Sequence, residues 1–306
     1  MIKRACDLLM LGHFAVDQLI VDGVMATSSG GGVYYGAIAA RRLGADVVVA
    51  TRLRAEDFPR LEELRSEGIA VFATPAQETS GIANHYNSAD MERRICVPIG
   101  FAGAIQAADL PIDWGHEPGS PEDEGLRAAI YVISPIIAGE VELPLLAQLA
   151  RRGPVAMDVQ GFLRVRVGNE LLFRTSPQLD EALHHITYLK VDRAEAEALT
   201  GEKDLARAGR VLAAQGPREV ILTESSGVTV FAEGQIHRAP FRPRSLTGRT
   251  GRGDTCFATY LAMRLSHSAA EACAWAGAVT TLKQEQPGPW RGSVEDAAAL
   301  LAESSF

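Results

Sequence analysis

Short apolar runs alternate with helix-period stretches along nearly the whole chain. The segments CDLLMLG (6–12), ADVVVATRL (45–53), IAVFAT (69–74), AAIYVISP (128–135), GPVAMDVQG (153–161), ITYLKVD (186–192) and EVILTESSG (219–227) predict strands. Between them, GAIAARRLG (36–44), FPRLEELRSEG (58–68), EVELPLLAQLARRG (140–153), RAEAEALTG (193–201) and DLARAGRVLAAQG (204–216) predict helices, each stopped by glycine. Two alanine-rich stretches, 254–268 and 269–284, predict long helices in the C-terminal third. Strands that alternate with helices in this way predict an α/β fold with a mainly parallel central sheet flanked by helices.

Two segments break the rhythm. DQLIVDGVMATSSGG (17–31) and IANHYNSADMERRICVPIG (82–100) alternate apolar with polar residues, and turn signals fall at Asp22-Gly23 and at Asn87-Ser88-Ala89-Asp90. Both predict hairpins with one solvated face, able to pair into a small sheet of their own. The only strongly polar Pro/Gly-rich stretch, 113–126, is too short to separate two domains, and there is no internal repeat, so residues 1–306 are expected to form one domain.

Composition narrows the class. With 47% hydrophobic and 22% charged residues the chain is an ordinary globular protein, and no apolar run is long enough to span a bilayer. The opening MIKRACDLLMLG has two basic residues and a short apolar run, but Asp7 and Asp17 follow, so it is expected to be a buried strand of a cytoplasmic protein. A net charge of −8 excludes a general binder of nucleic acid or anionic membrane, while leaving room for a local phosphate site. Cys6, Cys96, Cys256 and Cys273 lie too far apart for a zinc site or a disulfide scaffold and are expected to be packed thiols. Cys256, in the first turn of a predicted helix, is the one whose pKa could be lowered.

The densest chemical signal is SLTGRTGRGDTCFATYLAMRL (245–265), where Gly248, Gly251 and Gly253 crowd in front of Asp254 at the mouth of a helix. Unpaired N–H groups and the partial positive charge of a helix N-terminus attract anions, phosphate above all, and glycines let the backbone approach the ligand. Asp254 taken alone reads as a helix cap. Beside a phosphate cradle it is also placed to take a proton from a hydroxyl that attacks the phosphate.

TGRTGRGDTCFATYLA resembles the C-terminal signature of the PfkB/ribokinase family of carbohydrate kinases, usually Asp-Thr-Thr-Gly-Ala-Gly-Asp-Thr-Phe. The resemblance implies that Gly251, Arg252 and Gly253 form an anion hole and that Asp254 is the catalytic base. Gly248 stands where the family has its first Asp, and Arg252 replaces the small central residue. LMLGHFAVDQLIVDG resembles the family's first strand and lid, which implies that Asp17 grips hydroxyls of the acceptor. SGGGVYYGAIAARRLG resembles the N-terminal glycine signature, with Gly30 and Gly31 against the acceptor and Tyr35 where the family commonly has Asn. KVDRAEAEALTG matches an Asn-x-x-Glu element linked to Mg²⁺ and phosphate, with Asp192 for Asn and Glu195 kept as an indirect metal contact. LTESSGVTVF implicates Thr223, Ser225 and Gly227 in nucleotide contacts, and AVTTLKQEQPGP (278–289) fits the helix beside the adenine.

The resemblance therefore implies a ribokinase-like three-layer sandwich with a small β lid made of segments 13–30 and 82–102. It implies an ATP- and Mg²⁺-dependent phosphotransferase acting on a small polyhydroxylated substrate, and it leaves a monovalent cation and a homodimer through the lid as further features. GGGVYYGAI, MDVQGFLRV, LKVDRAEAEALTG and GRTGRGDTC resemble the inositol-kinase branch, which implies myo-inositol as acceptor with Asn84 as a second hydroxyl contact. Phe14, Tyr34, Tyr35 and Tyr86 are either stacking residues for a nucleobase or core. A ribose or nucleoside kinase, and a non-catalytic sensor with the same fold, are the alternatives.

Overall fold

A computed structural model of the protein describes residues 5–87, 90–118, 120, 123–168 and 170–303. Ser88 and Ala89 of the second predicted turn, the side chain of Tyr86 and the first four residues lie outside the described set.

In chain order the strands are β1 (Ala5–Leu11), β2 (Ala15–Val21), β3 (Val24–Gly30), β4 (Val47–Arg54), β5 (Ala70–Ala76), β6 (Ile82–Asn87), β7 (Asp90–Pro98), β8 (Arg127–Ile133), β9 (Val155–Asp158), β10 (Arg164–Val167), β11 (Glu170–Phe173), β12 (Tyr188–Asp192), β13 (Glu219–Thr223), β14 (Gly227–Ala232) and β15 (Gln235–Pro240). The helices are α1 (Gly32–Arg42), α2 (Glu62–Ser66), α3 (Leu143–Arg152), α4 (Leu179–Leu183), α5 (Arg193–Thr200), α6 (Leu205–Ala213), α7 (Arg252–Arg264), α8 (Ala269–Gln284) and α9 (Val294–Glu303). Nine strands form the main sheet in the order β15-β14-β13-β12-β9-β8-β1-β4-β5. It is parallel from β13 to β5, and β14 and β15 add an antiparallel edge.

The predicted apolar runs are continuous because both faces of the sheet are covered. On β1, Leu8 and Met10 point into a core shared with α1, α7 and α8, whereas Leu9 and Leu11 point into one shared with α3, α4 and α6. Period-two alternation thus sends successive residues of each central strand to opposite layers, which produces the three-layer sandwich.

The two predicted hairpins do pair, as a separate sheet in the order β3-β2-β6-β7. Asp22 and Gly23 both have positive φ, the geometry of the tight hairpin turn expected there. A buried polar cluster ties the roots of these hairpins to the main sheet. Glu140, fully buried, accepts the backbone N–H of His13 at 3.0 Å, of Ile136 at 2.7 Å and of Ile137 at 2.9 Å. The His13 ring reaches the Gly103 carbonyl through Nε2 at 2.8 Å and the Ser80 hydroxyl through Nδ1 at 2.7 Å. Because the carbonyl can only accept, Nε2 carries a proton, and Nδ1 also lies 3.5 Å from the Glu140 carboxylate.

Two elements depart from expectation. Residues 58–68 are not one helix: Ala55–Leu61 is a 3₁₀ turn with Pro59 inside it, and α-helix begins only at Glu62. Proline removes an N–H from the ladder, which accounts for the late start. The β10–β11 hairpin was not expected, although RVRV alternates and Gly168 follows with φ of 61°.

Glu140→Ala leaves three buried N–H donors without an acceptor. Urea unfolding is expected to show a loss of at least about 3 kcal/mol, and Glu140→Gln, which keeps one acceptor oxygen, a smaller loss. Unchanged stability in the alanine variant contradicts the anchoring role.

Candidate active site

The carboxyl ends of the central parallel strands open onto a cavity of about 800 Å³, roofed on one side by the small sheet. Ligand crevices of open α/β sheets form at such strand ends. At its centre stands the start of α7. Gly251 is the N-cap, with φ of 77° and ψ of 10°, a left-handed conformation that glycine adopts without strain. A side chain there would collide with the Tyr35 ring, and one at Gly253 would crowd the Lys190 ammonium, 3.4 Å away. Arg252 gives its N–H to the Arg249 carbonyl at 3.3 Å, whereas Gly251, Gly253 and Asp254 line the cavity in the first turn, where N–H groups have no partner within the helix.

Asp254 follows in the first turn and lines the cavity. The cap position belongs to Gly251 and carries no side-chain cap bond, so Asp254 is not the residue that closes the helix end. Burial raises its pKa to about 6; Asp158 and Asp17 push the same way, while Lys190 and Arg164 oppose them. A carboxylate tuned towards neutrality beside a cluster of N–H groups is suited to accept a proton from an alcohol.

The end under the small sheet is lined by Asp17 on β2, Asn84 on β6, Cys96 on β7, and Gly31 and Gly32 at the start of α1. Asp17 accepts the N–H of Ile82 at 2.8 Å, which couples the two hairpins at the site. Gly30 does not line the cavity; its missing side chain makes the room that the Asp17 carboxylate occupies. Gly31, with φ of 89°, would press a side chain onto the His13 carbonyl. Asn84 faces Cys96 across the strand pair, and the Cys96 thiol donates to its Oδ1 at 3.4 Å.

The opposite end is lined by Lys190, Asp192, Thr223, Ser225, Arg249, Thr250, Arg252 and Gln284. Asp192 caps α5 in a reciprocal box with Glu195, the side-chain bonds being 2.8 and 2.7 Å. Glu195 is buried behind the wall, where burial raises its pKa against the attraction of Lys190. Gly227 lies outside the lining as well, in β14, where a side chain would meet the Ala239 carbonyl.

Among the described residues no group of three or more His, Cys, Asp or Glu side chains could hold a metal by itself. Mg²⁺ fits such a site only as a partner of phosphate oxygens, with Asp192 as the carboxylate at hand. The Cys256 thiol is buried and pushed up to about 12, so it is a packed thiol without nucleophilic character. Phe14 and Tyr34 belong to the core; Tyr35 does too, while one side of it reaches the cavity.

Several lining residues were not singled out in the sequence. Lys190 is 5% exposed and ion-paired to Asp158 at 2.9 Å. Burial alone would lower its pKa, but Asp158, Glu195 and Asp254 together raise it, so the ammonium stays charged beside Gly253. A lysine in the middle of an otherwise apolar strand, ITYLKVD, was the available signal. Gln160 and Arg164 come from the segment after β9; both fall in MDVQGFLRV, one of the stretches that resemble the inositol-kinase branch, but neither was given a role.

The geometry has close counterparts. Residues 23–294 match the model of the pfkB family carbohydrate kinases. A pyrophosphate-dependent kinase of the ribokinase family, solved with a pyrophosphate analog and myo-inositol, is 34% identical, with 95% of this chain and 99% of that one covered and a TM-score of 0.83. A cytidine kinase from Thermococcus kodakarensis is 27% identical over 84% of this chain and 87% of its own. The ribokinase of Arabidopsis thaliana, complexed with ribose and ATP, is 19% identical over 99% of both chains with a TM-score of 0.73, a likeness of fold. With most of its length matched by the family model and its cavity built around that glycine cradle, the chain belongs to the pfkB family of carbohydrate kinases.

Proposed function

We propose that this kinase phosphorylates a hydroxyl of myo-inositol. The observation that carries the reading is the position of Asp254, between a hydroxyl-gripping end formed by Asp17 and Asn84 and a cationic end formed by Lys190, Arg249 and Arg252. The acceptor lies under the small sheet. Asp254 takes the proton from one hydroxyl, and the N–H groups of Gly251, Gly253 and Asp254 receive the charge that develops on the transferred phosphoryl group. Lys190 keeps positive charge beneath them, and Arg164, which faces Asp254, adds more from the β10 side. Mg²⁺, held by Asp192 and the donor, supplies further neutralisation of phosphate charge when bound. Residues 13–30 and 82–102 act as a lid that excludes water from the reacting phosphoryl group, within one domain spanning the chain.

ATP is the donor that the sequence implies, with Thr223 and Ser225 as its nearest contacts. Pyrophosphate is a second reading, favoured by Arg249 and Arg252 at the donor end and by the donor named for the 34%-identical relative. A homodimer through the small sheet is supported by the exposed Leu19, Val24 and Met25 of β2 and β3. The enzyme is taken to work in the cytoplasm.

Offered singly with Mg²⁺ and either ATP or pyrophosphate, myo-inositol is expected to turn over while ribose and cytidine do not, as read by ³¹P NMR of the products. Turnover of cytidine but not myo-inositol places the enzyme with the nucleoside kinases, and folded protein that binds acceptor without turnover is a sensor.

Asp254→Asn is expected to lower kcat by roughly 10² to 10⁴. In the wild type, kcat/KM should climb with pH up to about 6 and level off above it, since the base works ionised. The same shift has a sign for stability. A folded-state pKa above the unfolded value means that the contribution of Asp254 to stability is fully present in acid and is lost as pH rises through about 6. Asp254→Asn should therefore leave Tm level or raised at pH 8, and an active variant, or an inactive one that has lost stability, contradicts the assignment.

Met25→Glu is expected to convert a dimer to a monomer in sedimentation velocity; a wild type that sediments as a monomer contradicts assembly through this face.

A further inference from the structure

Behind the cradle lies a cation to which the reaction described above gives no task. Lys283, in the last turn of α8, is 1% exposed. Its ammonium donates to the Gly248 carbonyl at 2.6 Å and lies 5.4 Å from the centroid of the Tyr35 ring. Among the described residues no carboxylate lies within ion-pairing distance of it. A buried charge without a partner is costly, and burial lowers the Lys283 pKa to about 8, with Asp254 opposing only in part.

The surroundings point towards the donor. Gly248 gives its N–H to the Gln284 carbonyl at 2.8 Å and its own carbonyl to Lys283, so the end of α8 holds both polar groups of that residue. A side chain at Gly248 would strike the Gln286 and Lys283 carbonyls, which is why the loop can lie flat on the helix end. The Tyr35 ring stands against both the Lys283 ammonium and the space beside Gly251, and so joins the buried cation to the cap of α7. Next to Lys283, the Gln284 side chain is fully buried, lines the cavity, and has no partner for either its amide oxygen or its nitrogen. Two consecutive residues of one helix end thus bring to the donor loop a cation without a counter-anion and an amide without a hydrogen-bond partner.

We propose that Lys283 is a positioning residue that serves as a built-in counter-cation for the donor phosphates, fixing the loop from Gly248 to Gly251 and finding in the bound donor the negative charge the free protein denies it. The proposal rests on the reading of this end of the cavity as a phosphoryl-donor site. In the ligand-free protein Lys283 is a burden on stability; in the complex it contributes to affinity. An ammonium kept for the fold alone would behave in the opposite way.

Isothermal titration of Mg²⁺-pyrophosphate and of Mg²⁺-ADP into wild type, Lys283→Met and Lys283→Ala tests this, alongside Tm without ligand. Lys283→Met is expected to keep or raise Tm and to bind the better of the two ligands at least tenfold more weakly. In Lys283→Ala, methylammonium is expected to recover part of that affinity. Unchanged donor affinity in Lys283→Met overturns the proposal, with or without a fall in Tm. If the methionine variant does not fold, the alanine variant decides, and donor binding insensitive to methylammonium overturns the proposal. A wild type that binds neither ligand overturns the donor-site reading itself, a result distinct from wild-type binding that Lys283→Met shares.

Discussion

The free N–H groups at the start of α7 set the terms for the rest of the site. An α-helix leaves its first donors without partners, and a chain normally covers them with a side-chain cap or with water. Here the cap is Gly251, which has no side chain to offer, and the Tyr35 ring fills the place where a Cβ would go. Apart from the Arg252 N–H, which the Arg249 carbonyl accepts, the first-turn donors suit a ligand rich in oxygen and negative charge. Gly248 and Gly251 mark points where another group comes too close for a side chain, and a side chain at Gly253 would press on the end of Lys190.

Placing a base beside such a cradle creates an electrostatic conflict. As the proposed base Asp254 must be ionised, yet it lies in a buried setting with Asp158 and Asp17 repelling its charge. Lys190 and Arg164 compensate enough to hold its pKa near 6, low enough for it to be ionised at neutral pH. The Lys190–Asp158 pair is also buried, and its ordered geometry keeps a permanent positive charge next to Gly253. The site therefore holds its acid against burial and like charge, while the paired Lys190 is favoured by its carboxylate neighbours. Strain of this electrostatic kind is a common feature of functional sites.

The sheet was legible because its strands are covered on both faces, so that CDLLMLG and EVILTESSG appear as unbroken apolar runs bounded by turn residues. The helix at 269–284 coincides with the predicted stretch, with Ser268 as a cap bonded to the Glu271 N–H. The paired hairpins were visible from alternation and from Asp22-Gly23. What stayed hidden depends on tertiary placement. Nothing local to Gly30 says that its role is to clear space for Asp17, nor to Glu195 that it closes a capping box behind the wall instead of lining the cavity. Arg164 and Gln160 enter the site because the chain after β9 folds back over it, a path that period and propensity do not encode. Family resemblance pointed to Asp254 as a candidate base and to the glycines before it; it gave no role to Lys190 or Lys283, whose significance lies in how deeply they are buried.

The central claim is that the α7 N-terminus and Asp254 act on the same phosphoryl transfer. A crystal structure with myo-inositol and a non-hydrolysable pyrophosphate analog and Mg²⁺ tests it most directly. The account predicts one inositol hydroxyl within hydrogen-bond distance of the Asp254 carboxylate, about 2.6 to 3.2 Å, and in line with a phosphorus atom whose oxygens meet the N–H groups of Gly251, Gly253 and Asp254. An analog bound away from those N–H groups, or a hydroxyl facing the phosphorus with a different side chain as its acceptor, contradicts it.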